Sequence, residues 1–276
     1  MESPATLWVR GLFGRLFDYV LALQYRSGLY TLLRCGGGLA LSAVVALTVF
    51  VMAALRTPPP TYFVLNEKHT GIAAPSYPAW HQFSNWVNHR KFAVLTFDDG
   101  PAGDVMDSQF LAILRKHHAH AIFFLVCNKI NGDTAPALGK MLREGHLIGN
   151  HTLDHQHVSA LPYEQALHQI DACNERIASV TGRRPYFFRP PFGHSSAIVA
   201  QASSAAGVQQ VFWNASSYDY MYRKPEKIAQ FSLEETKDMS ILLMHERKGT
   251  AAALDTLLTK LEADGFTFVL PKEALM

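Results

Sequence analysis

The side chains whose types and spacing could do hydrolytic chemistry are few. They are Asp98 and Asp99 in Asp98-Asp99-Gly100-Pro101, the pair His151 and His155, Arg189 ahead of Pro190-Pro191-Phe192-Gly193, and Asp219 followed by His245. Taken singly, each is unremarkable: Asp-Asp-Gly-Pro is turn chemistry, and two histidines four apart are commonly a surface pair. Together they suggest more. At i,i+4 both imidazoles lie on one side of a helical turn, and two histidines with one carboxylate match a catalytic zinc site with water in its fourth position. Such an ion lowers the pKa of its water to about 7 and polarises a carbonyl oxygen. A guanidinium fixed by two prolines can lock a carboxylate bidentately.

The elements that must position these groups alternate along the chain from Lys91. Apolar runs at 92–97, 121–126, 147–149, 186–188, 208–213, 240–244 and 266–270 read as strands. Helices are expected between them at 107–118, 134–144, 163–180, 195–206, 226–236 and 250–264. Alternation of this kind implies a parallel sheet with helices outside it, here an α/β fold closing as a distorted (β/α) barrel of about seven strands. In such architectures functional residues gather at the C-terminal strand ends. The reactive groups above fall just past the first, third, fourth, fifth and sixth runs, so they converge on one face.

Four ordered segments resemble the polysaccharide deacetylases, carbohydrate esterases of family 4 that carry the NodB homology domain. These are Thr96-Phe97-Asp98-Asp99-Gly100-Pro101, His151-Thr152-Leu153-Asp154-His155, Arg189-Pro190-Pro191-Phe192-Gly193 and Leu243-Met244-His245. The resemblance runs from about Lys91 to Leu270. It implies that Asp99, His151 and His155 bind a divalent ion, usually zinc, and that Asp98 is the general base, positioned by Arg189. It further implies a backbone oxyanion donor at Phe192, an acetyl pocket lined by Leu243, and His245 as general acid supported by Asp219. Two positions depart from the family: Ser216 stands where it usually has Asp, and Tyr220 where it has Trp. The implied activity is hydrolysis of the acetamido group of an N-acetylated glycan. An O-acetyl esterase is the alternative within enzymes, and a silent glycan-binding module the alternative outside them.

Composition bounds the setting. Among 276 residues Lys+Arg (25) nearly balance Asp+Glu (23), which argues against a nucleic-acid partner. The uncharged run 36–55 has the length of one bilayer crossing, and Arg10, Arg15, Arg26 and Arg34 precede it. By the positive-inside rule this predicts a cytoplasmic segment 1–35, a transmembrane helix 36–55 and an extracytoplasmic remainder. A cleaved signal is the competing reading, but the basic leader is too long for one. Residues 56–90 open with Thr57-Pro58-Pro59-Pro60 and carry aromatics, so they read as a linker packing on a catalytic domain of 91–276. Cys35, Cys127 and Cys173 follow no disulfide or metal pattern and read as buried free thiols. His117, His118 and His120 read as a solvated cluster and His146 as structural. His157, His194, Tyr218, Tyr220 and Tyr222 are candidates to touch sugar.

Overall fold

The computed structural model describes residues 71–72 and 91–271. The elements follow in order as β1 (Gly71–Ile72), β2 (Lys91–Gly100), α1 (Asp104–Lys116), β3 (Ala121–Leu125), α2 (Ala135–Arg143) and β4 (Leu147–Asn150). Then come α3 (Tyr163–Thr181), β5 (Phe187–Phe188), α4 (Ala197–Ala205), β6 (Gln209–Val211), β7 (Ala215–Ser216), α5 (Pro225–Glu235), β8 (Ser240–His245), α6 (Lys248–Ala263) and β9 (Phe266–Phe268). The segments expected at 1–35 and 36–55 lie outside the described residues, as does 56–90 apart from β1. No described helix is long and apolar enough to cross a membrane.

All strand pairs are parallel, in the order β1-β6-β5-β4-β3-β2-β8-β7, with β9 also on β2. The seven expected strands are all present. β1 and β7 are additional, and both are two residues long. The architecture is a parallel (β/α) half-barrel: among the described residues no pairing joins β1 to β7, so the expected closure is not made by backbone hydrogen bonds.

Alternation along β2 divides the interior. Ala93, Leu95 and Phe97 join the helix-side core with Phe110, Leu114, Phe123, Leu138, Leu254 and Leu258. Phe92 and Val94 face the concave side with Ile122, Phe124, Phe187, Val211 and Ile241. Because both faces are covered, β2 is buried almost throughout, as strands of parallel sheets are. Thr96 and Asp98 continue the concave-facing row, which carries the apolar interior up to a polar rim. His117 is not solvated; its nearly buried ring bridges Asp255 and Glu262 of α6 at 2.8 and 3.0 Å. His146 is buried, with its pKa pushed down to about 4 by that burial, and accepts the Ala121 N–H.

Candidate active site

Register brings the reactive residues to one level. Asp98 stands opposite His245, Gly100 opposite Leu125, Leu125 opposite Asn150, and Asn150 opposite Phe188. His151 and Arg189 are therefore the next residues out of adjacent strands. The β2–β3 ladder shifts register between Phe97 and Gly100, and Asp99 adopts φ +68°. In a regular strand neighbouring side chains point to opposite faces; this irregularity lets both Asp98 and Asp99 reach the site.

Asp99, His151 and His155 bring one ligand atom each within 4.8 Å of one another. Asp99 Oδ1 lies 3.3 Å from His155 Nε2 and 3.8 Å from His151 Nε2. The Nδ1–H of His151 donates to the Arg189 carbonyl at 2.7 Å, which leaves its Nε2 lone pair facing the other two ligands. Two imidazole nitrogens and a carboxylate oxygen arranged this way fit a zinc ion. Burial raises the Asp99 pKa, but the neighbouring histidines more than reverse this and hold it below the ordinary value.

A helical turn does not bring His151 and His155 together, contrary to expectation. The segment is a loop in which Thr152 and His155 take φ near +70° and +66°. Its polar groups are pinned from beneath. Asn150 Oδ1 accepts the Thr152 N–H at 2.7 Å while Asn150 Nδ2 donates to Asn174 and to the Ile170 carbonyl. Gln169 Oε1 takes the N–H groups of Leu153 and Asp154, and Thr152 Oγ1 takes that of His155. Cys127, whose N–H donates to the Thr152 carbonyl, forms a disulfide with Cys173 of α3. The expectation of free thiols is thus corrected for this pair, because the turn that follows β3 at Cys127 packs on α3 and juxtaposes residues 46 apart in sequence.

Arg189 is the largest fully buried side chain among the described residues, not a surface cation. One nitrogen, Nη1, donates to Asp98 Oδ1 and Thr96 Oγ1, both at 2.8 Å. The others serve the Val211 and Phe212 carbonyls, and the guanidinium lies over the Phe124 ring at 4.2 Å. The expected bidentate pairing is therefore absent. The sheet interior supplies carbonyl acceptors that claim the remaining donors, and Asp98 Oδ2 stays available.

Opposite, Asp219 holds His245 at two points, taking the ring Nδ1–H at 2.6 Å and the backbone N–H at 2.7 Å, with Thr250 Oγ1 on its second oxygen. Burial alone would lower the His245 pKa; the hydrogen bond and charge of Asp219 overcome it and raise the value. Burial likewise raises Asp219, and its bonds to His245 and Thr250 bring it below the ordinary value. Ser216, in place of the family's Asp, accepts the Tyr218 N–H at 3.2 Å and so still closes the turn. Tyr220 is exposed, 6.1 Å from the His245 ring. Leu243 lies buried below His245, in register with Thr96.

Phe192 adopts φ +61°, and the hydrogen bonds of its turn come from Gly193 and His194, so its own N–H is not used there. Its half-exposed ring stacks on His157 at 3.9 Å and meets His155 edge-on at 4.8 Å, with His194 beyond.

Three participants had no signal that reasoning from motifs could use. Arg247 reaches Asp99 Oδ2 at 3.3 Å. Asp107 and Glu246 are buried under the Gly100–Pro101 turn, and both accept the Ala102 N–H. A Cβ at Gly100 would run into the Glu246 carboxyl. Asp107 Oδ2 and Glu246 Oε1 find no other partner. Burial, and then the Asp107 carboxyl, hold Glu246 well above its ordinary value.

Fold and site together define a class: a parallel (β/α) protein whose strand ends present an Asp–His–His cluster between a buried guanidinium–carboxylate pair and a carboxylate–imidazole pair. The polysaccharide deacetylase family model matches residues 87–211. The chain is 32% identical over 195 residues to a peptidoglycan-N-acetylglucosamine deacetylase of Bacillus cereus, covering 68% of this chain and 90% of that protein. It belongs to the polysaccharide deacetylase family. The peptidoglycan-N-acetylglucosamine deacetylase PgdA of Listeria monocytogenes is 34% identical over 181 residues, which are 65% of this chain and 38% of PgdA, so the chain matches well under half of that relative. The structure of peptidoglycan deacetylase PdaC from Bacillus subtilis superposes with a TM-score of 0.62 at 28% identity, covering 67% of this chain and 90% of that one.

Proposed function

We propose that this chain is a metal-dependent N-deacetylase of an extracytoplasmic glycan. The observation that carries the reading is the Asp99–His151–His155 cluster set between Asp98–Arg189 and Asp219–His245. A divalent ion there, zinc by the donor set, would polarise the acyl carbonyl and lower the pKa of the attacking water.

The chain's own groups do the rest. Arg189 fixes Asp98 through Oδ1, and the second oxygen, Oδ2, takes the proton of the attacking water. The unused Phe192 N–H donates to the oxyanion that forms on the carbonyl. His245 gives its Nε2 proton to the departing sugar nitrogen, and Asp219 favours the imidazolium that this requires. Leu243 lines the space for the acetyl methyl, and Tyr220 with Phe192 borders the sugar.

Relatives named for peptidoglycan make cell-envelope glycan the first candidate substrate. The uncharged run at 36–55 after four arginines supports a single membrane anchor with the catalytic domain 91–276 exported. The Cys127–Cys173 disulfide agrees with an oxidising compartment.

The test is acetate release by the full chain from matched N-acetylated and O-acetylated glycans, with and without a chelator. Chelator-sensitive release from the N-acetyl glycans is expected. Release from O-acetyl glycans alone would make it an esterase, and none from either would make it a silent binding module.

A further inference from the structure

Behind the His245–Asp219 pair, the loop after β7 and the start of α6 enclose a cavity of about 370 Å³. Tyr220, Tyr222 and Arg223 line it from the loop, and Arg247, Lys248 and Gly249 from the helix. Its volume falls within the range of small-ligand pockets. Three cations therefore border one cavity. The carboxylate in its wall, Asp219, is already committed to His245 and Thr250. Arg247 leans on Asp99, whereas Arg223 and Lys248 are exposed and have no hydrogen bond or ion pair among the described residues.

The backbone adds to this positive field. The first helical bond of α6 runs from the Ala251 N–H to the Arg247 carbonyl, so the N–H groups of Lys248, Gly249 and Thr250 have no acceptor within the helix. No side chain caps this end, and its first turn contains no acidic residue. A Cβ on Gly249 would come within 2.8 Å of the Arg223 carbonyl, so the loop bearing Arg223 sits directly on the helix start. Anions are favoured at such a terminus.

We propose that this cavity binds an oxyanion carried by the glycan, a carboxylate or a phosphate on the sugar being deacetylated or the one next to it. The inference rests on the deacetylase reading for its direction. His245 protonates the nitrogen that stays with the sugar, so the sugar side of the cleaved bond lies at His245, beside Tyr220. Tyr220 borders both His245 and the cavity, which places the cavity on the glycan side of that bond and not on the side of the departing acetyl group. Arg223 and Lys248 neutralise the anion, while Tyr220 and Tyr222 border the ring that bears it.

The experiment compares three tetrasaccharides that differ in one substituent: a free carboxylate, its methyl ester, and a phosphate ester. Equilibrium binding to the full chain is measured with the de-N-acetylated forms, which cannot turn over, and acetate release with the N-acetylated forms. The charged forms should bind about tenfold tighter than the methyl ester, and added salt should erode the difference. The tighter of the two identifies the anion. The double variant Arg223→Gln, Lys248→Gln should bind charged and esterified forms within about twofold of each other. Equal binding of acid and ester by the parent, or a preference that survives in the folded double variant, would overturn the proposal. Anion preference without acetate release from any glycan would support the cavity and overturn the deacetylase reading.

Discussion

The residues that would hold a metal and those that would deliver the final proton are positioned by different means. Asp99 and His155 themselves adopt left-handed backbone, as do Thr152 between the histidines and Phe192 beside them. Such conformations cost of order 1–3 kcal/mol each and persist only where the surroundings over-determine them. Asn150, Gln169, Asn174 and the Cys127–Cys173 bridge supply that constraint from beneath. His245, by contrast, ends a six-residue strand in full register with β2, and one carboxylate holds both its ring and its backbone. On this side the left-handed residues, Tyr218 in the loop before Asp219 and Met239 at the entry to β8, are not His245 or Asp219 themselves. The geometry of the Asp99–His151–His155 cluster thus depends on a distributed network, while that of His245 depends on one partner.

The sharpest way to break this contrast is to remove one histidine from each side. His155→Ala should cut zinc affinity by more than about 100-fold and abolish acetate release, since even outer-shell losses cost 10–100-fold. His245→Ala should keep the metal while kcat falls by about 10²–10⁴. Metal content and kinetics measured on both variants decide the matter; loss of zinc in His245→Ala would merge the two halves.

Arg189→Met tests the buried link between them. It leaves Asp98 in the interior without its cation, which should destabilise the fold by about 3–5 kcal/mol in denaturant titration. A cost below about 1 kcal/mol would mean that Thr96 and the surrounding carbonyls do not depend on the guanidinium.

Asp219→Asn examines the single-partner side through pH. Asp219 raises the His245 pKa, and the acid must be protonated, so the alkaline limb of the rate profile reports its loss of a proton. Without the charge that limb should move to lower pH, with metal content unchanged. An unmoved limb would detach Asp219 from the role of supporting His245.

The smallest effect is expected at Glu246. Its pKa is raised in the fold, so the protonated form favours the native state, and stability falls as pH rises above the ordinary value of 4.5 toward the raised one. Glu246→Gln should remove that dependence, because an amide can donate to Asp107 and still accept from Ala102. The variant should match its parent at pH 4 and exceed it by less than about 2 kcal/mol at pH 8 in thermal or denaturant unfolding. A parallel pH dependence in the two proteins would assign it to a group other than Glu246.

Much of this arrangement was legible from the chain alone. Seven apolar runs and six helical stretches located the corresponding elements to within a few residues, because burial on both faces of a parallel sheet produces continuous apolar segments. The side chains that follow those runs were identifiable because parallel strands all deliver their C-terminal ends to one face. β1 and β7 escaped notice since two residues carry no periodic signal. The helical-turn reading of His151 and His155 failed because spacing reports separation and not backbone sign.

Local sequence thus determined which residue types are available at the strand ends. What only tertiary structure decided is how they are held. Burial of Arg189 beneath Asp98, the Cys127–Cys173 bridge, the meeting of Asp107 and Glu246 on the Ala102 N–H, and the cations around Lys248 each join residues distant in sequence. No local pattern encodes such pairs: they arise where the sheet packs on its helices, and there buried polar groups must find whatever partner the fold provides.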